Sequence, residues 1–164
     1  MEVTMTPEEM REKAIQLFKE RFHCSQAVLA AGQEKIGTVN EEVVKAMGSF
    51  GGGLASSGRV CGALVGGVAL ISSMYSRGNL EGKEDPRMWY LSRALVKKFE
   101  ELCAPFASIN CCDIAQVDWH NRDQVREFYK NPESTRQNCI KLVGDTAYAL
   151  GKILEEDEQQ SKSS

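Results

Sequence analysis

Apolar residues recur along this chain at spacings of three and four, the period of a helix. No segment alternates apolar and polar positions between hairpin turns, so no strand is expected. Thr6 is a good N-cap, Pro7 suits a first helical position and Glu9 completes a capping box; the stripe Met10, Ala14, Leu17 and Phe18 follows. The pattern breaks at 21–23. A second helix is predicted from Cys24 or Ser25 to about Ile36, stopped by Gly37. Asn40 opens a short helix carrying Val43, Val44 and Met47, ended by Gly48. After the stretch GSFGGGLASSGRVCGALVGG, a helix is expected from Gly58 or Arg59 to about Ser76. Asp85 and Pro86 start another, with Met88, Leu91, Leu95, Val96, Phe99 and Leu102 inward and Pro105 beyond its end. A short helical piece follows in FASINCCDIAQVDWHN, and another over 122–129, stopped at Asn131-Pro132. From Ser134 a long helix carries Cys139, Leu142, Val143, Thr146, Ala147, Leu150, Ile153 and Leu154. These elements predict one all-α domain over 1–158, a bundle of five or six main helices with a glycine-rich loop. The polar end, 159–164, is expected to be a disordered tail.

Composition narrows the function. The chain has 164 residues, enough to bury a core without disulfides. Its net charge of −3 argues against nucleic acid as a partner, which calls for a basic face. The longest apolar stretch runs from Val60 to Ile71. A membrane span needs many more apolar residues in a row, so no membrane association is expected. The N-terminal residues carry no basic start and no signal-length apolar run, which predicts a cytoplasmic protein.

The candidate chemistry is six cysteines: Cys24, Cys61, Cys103, Cys111, Cys112 and Cys139. None form a Cys-x-x-Cys pair. In a reducing compartment such thiols are reduced, metallated or cycling rather than permanently bridged. Cys61 is expected about one turn into a helix behind the glycine-rich loop, near Arg59, where the helix dipole and free N–H groups favour thiolate. It is the candidate catalytic thiol. Gly51, Gly52 and Gly53 free the loop backbone, and Gly62 in the following helix invites close approach of a backbone or a bound group; these four are candidate cofactor-binding positions. Cys24 opens the second helix and Cys111 a short one, while Cys139 and Cys103 lie near apolar stripes. For each thiol alone, a buried small hydrophobe is the bland alternative. His23 is a ligand or a cap, and His120 a surface or capping residue. The triple glycine lacks the Gly-Lys-Ser/Thr of a phosphate loop.

The order HCSQAVLAA, SFGGGLASSGRVCGALVGG, SINC and NCIKLV resembles the redox-active protein family named for the pattern C_GCAxxG_C_C. Val60 precedes Cys61, so the pattern's core is met here as Cys61-Gly62-Ala63. The resemblance places the family cysteines at Cys24, Cys61, Cys111 and Cys139, leaving Cys103 and Cys112 as extras, and implies a redox role. One expectation is therefore a four-thiolate site of these cysteines, holding an iron–sulfur cluster or another thiophilic metal for electron transfer to a redox partner the sequence does not name. A second is a thiol–disulfide oxidoreductase or redox sensor with Cys61 as the attacking thiol. A third is a non-catalytic binding module or a structural zinc protein. A homodimer through the glycine face is an open alternative.

Overall fold

The computed structural model describes residues 5–163; residues 1–4 and 164, at the ends of the expected domain and tail, lie outside the described residues. Its helices are α1 (Pro7–Lys19), α2 (Cys24–Ile36), α3 (Glu41–Ala46), α4 (Gly62–Tyr75), α5 (Arg87–Leu102), α6 (Cys111–Ala115), α7 (Arg122–Lys130) and α8 (Arg136–Ser163), with a 3-10 turn at Gly48–Phe50. The all-α expectation holds. The number of helices is larger than the five or six expected, because α3, α6 and α7 are helical beside the five long ones.

Local chemistry sets the starts. The Thr6 hydroxyl accepts from the Glu9 amide at 3.1 Å. In return the Glu9 carboxylate accepts from the Thr6 amide at 2.7 Å, which completes the capping box. Asn40 and Asn121 cap α3 and α7 with their side-chain oxygens. Asp85 accepts from the Arg87 amide at 2.9 Å and opens α5. Two boundaries differ from the sequence expectation. The α4 helix starts at Gly62, not at Gly58 or Arg59, because Val60 is held extended in an isolated antiparallel bridge with Asn110. The last helix starts at Arg136, where the Ser134 hydroxyl accepts from its amide at 3.3 Å, and it continues through the polar 159–163 stretch expected to fray.

Small residues decide which helices touch. In α2, Ala27, Val28, Leu29 and Ala31 are fully buried, so it is the central helix, packed by α1, α4 and α8. A Cβ on Gly62 would lie 2.6 Å from the Cys24 sulfur, and one on Gly66 would collide with the Ser25 carbonyl, so α2 and α4 start side by side. Gly67 gives its space to Leu95 of α5. The glycine face of α4 is thus filled from within the chain. Gly144 accommodates Ile15, and Gly151 accommodates Met10 and Pro7, so α1 runs antiparallel to α8.

The consequence is directional. α2, α4 and α8 all begin at one end of the bundle and α1 ends there. At the other end lie Lys35, Tyr75 and Asp157, close to the C-termini of α2, α4 and α8. Among the described residues no helix is long and apolar enough to cross a membrane.

Candidate functional site: a cavity lined by cysteines

Two irregular segments deliver the thiols. At the end of α1 the Arg21 amide donates to the Phe18 carbonyl at 3.3 Å and the Phe22 amide to the Leu17 carbonyl at 3.0 Å. These are the hydrogen bonds of a Schellman turn. Its left-handed residue, usually glycine, is Arg21 at φ 91. The turn leads directly into His23, which caps α2 by donating its amide to Gln26 at 3.2 Å, and places Cys24 at the first helical position.

The second segment is the glycine-rich loop. Gly52, Gly53, Leu54, Ala55 and Ser56 all have positive φ (65, 72, 69, 51 and 59). Left-handed backbone is unfavourable at each of the three non-glycine residues in this run, where Cβ crowds the following carbonyl oxygen. Amides of Gly58 and Arg59 donate back to the carbonyls of Gly52 and Gly53 at 3.0 and 2.9 Å and close the loop. At Gly53 a Cβ would lie 2.6 Å from the Arg59 backbone and from Cys111 Cβ, so only glycine fits. The strand-like bridge follows: the Cys61 amide donates to the Ile109 carbonyl at 3.1 Å, and the Cys111 amide to the Arg59 carbonyl at 2.6 Å. The loop thereby sets Cys61, the N-cap of α4, beside Cys111, the first residue of α6.

Cys24, Cys61, Cys111 and Cys139 line one cavity of about 360 Å³. Cys103 and Cys112 do not: Cys103 is buried at the C-cap of α5, and Cys112 is exposed, with its Cβ against Gly58. Of the four candidate glycines only Gly52 lines the cavity. Gly51 makes room for the His23 ring, Gly53 for Arg59 and Cys111, and Gly62 for the Cys24 sulfur. His23 lines the cavity and His120 does not.

The thiols are not equivalent. Cys24 and Cys61 are neighbours across the starts of α2 and α4: the Cys24 sulfur fills the space beside Gly62, the residue after Cys61. The adjacent Cys61 side chain, with the amides of Ser25 and Gly62, holds the Cys24 pKa below its ordinary value against the opposing effect of burial. Cys61 is pushed well above the ordinary thiol value, first because its proton is engaged by Cys24 and then by burial. The two titrate as a pair. Cys61 sits at the N-cap of α4, not one turn into the helix as the sequence suggests. Burial raises Cys111, with the Trp119 side chain pulling the other way, and burial raises Cys139 further.

The donor set suits a thiophilic metal chemically. Its geometry does not pre-form a site for one ion: among the described residues no three His, Cys, Asp or Glu side chains are grouped to hold a metal. Cys61 belongs to the main core and Cys111 to a small second cluster with Ala115 and Phe128, while Cys24 packs on the first and Cys139 on both.

The residues missed from sequence are the cavity's other walls. Phe18, Phe22, Trp119, Phe128 and Tyr129 supply aromatic surface, and Arg21 and Arg136 supply positive charge. The Arg136 guanidinium lies 5.4 Å from the ring centroids of both Phe18 and Tyr129. At that separation each ring face attracts the cation. The Arg136 Nε, like the Trp119 Nε1, is buried without a hydrogen-bond partner. One signal was legible: an arginine stands at the helix-ending position 21, where glycine is the usual choice.

The fold and the site together define a helical bundle whose helix starts gather thiols from distant segments into one pocket. The chain belongs to the family described as "Putative redox-active protein (C_GCAxxG_C_C)", whose model matches residues 22–153. It is also similar, at 29% identity over 144 residues, to a protein of Archaeoglobus fulgidus described as uncharacterized, covering 83% of this chain and 87% of that one. No solved structure matches.

Proposed function

We propose that this chain is a thiol–disulfide redox protein in which Cys24 is the attacking thiolate and Cys61 the resolving thiol. The observation that carries this reading is the juxtaposition of Cys24 and Cys61 at the starts of α2 and α4, on the wall of one cavity, with the Cys24 sulfur packed against Gly62. Attack on a disulfide requires thiolate, and the Cys61 proton, the Ser25 and Gly62 amides and the starts of two long helices all favour negative charge on Cys24. The resolving thiol needs only to be adjacent and protonated until the first exchange has occurred. Site-resolved alkylation of the reduced chain across pH tests the assignment. Cys24 is labelled first among the cavity thiols, at a pH below the ordinary thiol value of 9.0. Labelling of Cys61 or Cys139 before Cys24 would overturn it.

A second reading is supported by the convergence of Cys24, Cys61, Cys111 and Cys139 on one cavity. They would ligate an iron–sulfur cluster, which spans more space than one ion and takes four thiolates. The group would supply one-electron chemistry, and the chain would supply the ligands, the apolar walls and the amide donors near sulfur. Anaerobic purification with iron and acid-labile sulfide analysis decides it: a colourless sample free of both speaks against the cluster.

A further inference from the structure

The cavity differs in charge from the molecule that contains it. The chain carries a net charge of −3, yet among the described residues no Asp or Glu lines this cavity, while Arg21 and Arg136 both do. Both arginines are placed there at some expense. Arg21 occupies a left-handed position, φ 91. Glycine fills such a position without strain. Arg136 is held between the Phe18 and Tyr129 rings with its buried Nε unpaired, a donor left for something the protein itself does not provide. The starts of α2, α4 and α8 add positive potential at the same end. The remaining walls are aromatic and aliphatic, and the volume is about 360 Å³. That size is typical of small-molecule pockets.

We infer that the substrate of this cavity is a small anionic organic disulfide, its acidic group held by Arg21 and Arg136, its apolar body against Phe18, Phe22 and Trp119, and its sulfurs presented to Cys24. This rests on the thiol reading above and adds the identity of the oxidant. In the exchange, the Cys24 thiolate attacks one ligand sulfur, the ligand S–S bond breaks, and one half departs as a thiolate, leaving a mixed disulfide on Cys24. Cys61 then attacks the Cys24 sulfur, giving up its proton. The Cys24–Cys61 bond forms, and the second half leaves. The ligand disulfide gains two electrons and becomes one thiolate and one thiol; the two cysteines lose those electrons and become a disulfide.

The test uses the full chain carrying Cys112→Ala, which removes the exposed thiol outside the cavity. Rates of Cys24 modification are measured with dithiobis(nitrobenzoate), an anionic aromatic disulfide, and with dithiodipyridine, an uncharged one. Each rate is divided by that reagent's rate with free cysteine. The anionic reagent is expected to be favoured by ~10-fold, in line with steering by a focused positive potential, and the preference shrinks as salt is raised. Arg136→Gln lowers the anionic rate alone, and Arg136→Lys restores much of it. Equal normalised rates for the two reagents, insensitive to salt, overturn the substrate assignment and leave the thiol reading standing. If Arg136→Gln lowers both rates equally, the arginine only supports the fold and the assignment also falls. Failure of both reagents to modify Cys24 removes the thiol reading and the substrate with it.

Discussion

The two ends of the bundle bury polar groups in opposite ways. At the end remote from the thiols every such group named here is matched. The Lys35 ammonium, fully buried, donates to the Met5 carbonyl and to Glu155 at 3.2 Å. The Tyr75 hydroxyl donates to Asp157, and Arg87 stands 3.6 Å from that carboxylate and 4.5 Å from the Tyr75 ring. Partly buried and next to Asp157, Tyr75 has its pKa pushed up to about 12. At the thiol end Arg136 Nε and Trp119 Nε1 are left without partners, the loop runs left-handed through non-glycine residues, and thiols crowd a void. A buried polar group that is paired stabilises the fold, and one left unpaired costs stability unless something else uses it. The remote end is thus closed by paired groups, while the thiol end leaves donors and thiols facing a cavity.

The largest effect is expected from the close packing at the thiol end, where α2 and α4 start side by side. Gly66→Val forces a side chain into the Ser25 carbonyl and drives α2 away from α4. The expected cost is about 3 kcal/mol, read by chemical denaturation. Next comes a matched pair of truncations. Lys35→Ala, which strips a paired cation from the remote end, costs about 3 kcal/mol, whereas Arg136→Gln, at the thiol end, costs less than about 1 kcal/mol. Equal costs at the two sites would erase the distinction between the ends. A smaller effect falls on reactivity: Cys61→Ala removes the strongest support for the Cys24 thiolate and moves the pH of Cys24 alkylation up towards 9.0. The smallest is an alkaline loss of stability. Burial raises Cys103 from 9.0 to about 11, so the unfolded chain releases this proton first and stability falls as pH rises between those values. Cys103→Ala flattens that part of the stability–pH curve, measured by thermal unfolding.

Helix identity was largely written in the apolar spacing, since one buried face per helix leaves a periodic trace. The α1 capping box and the Asp85 start appear where the sequence placed them. The start of α4 was not legible, because it depends on Val60 pairing with Asn110, a contact between segments far apart in sequence. The same limit applied to the site. The resemblance singled out the four cysteines that share the cavity, but not which of them are neighbours there. Cys61 was favoured for the glycine-rich approach to its helix. The closeness of Cys61 to a sulfur at the start of another helix has no local signature. Arg136 was hidden for a similar reason: it faces the cavity only because α8 begins next to the turn that ends α1.

Disulfide mapping of the unmodified chain after brief treatment with diamide tests the central claim most directly. The account predicts that the first intramolecular bond to form joins Cys24 to Cys61, reversibly, with Cys111 and Cys139 still reduced. A first bond that excludes Cys24, or a chain whose cavity thiols all remain reduced while exposed Cys112 reacts, would contradict it.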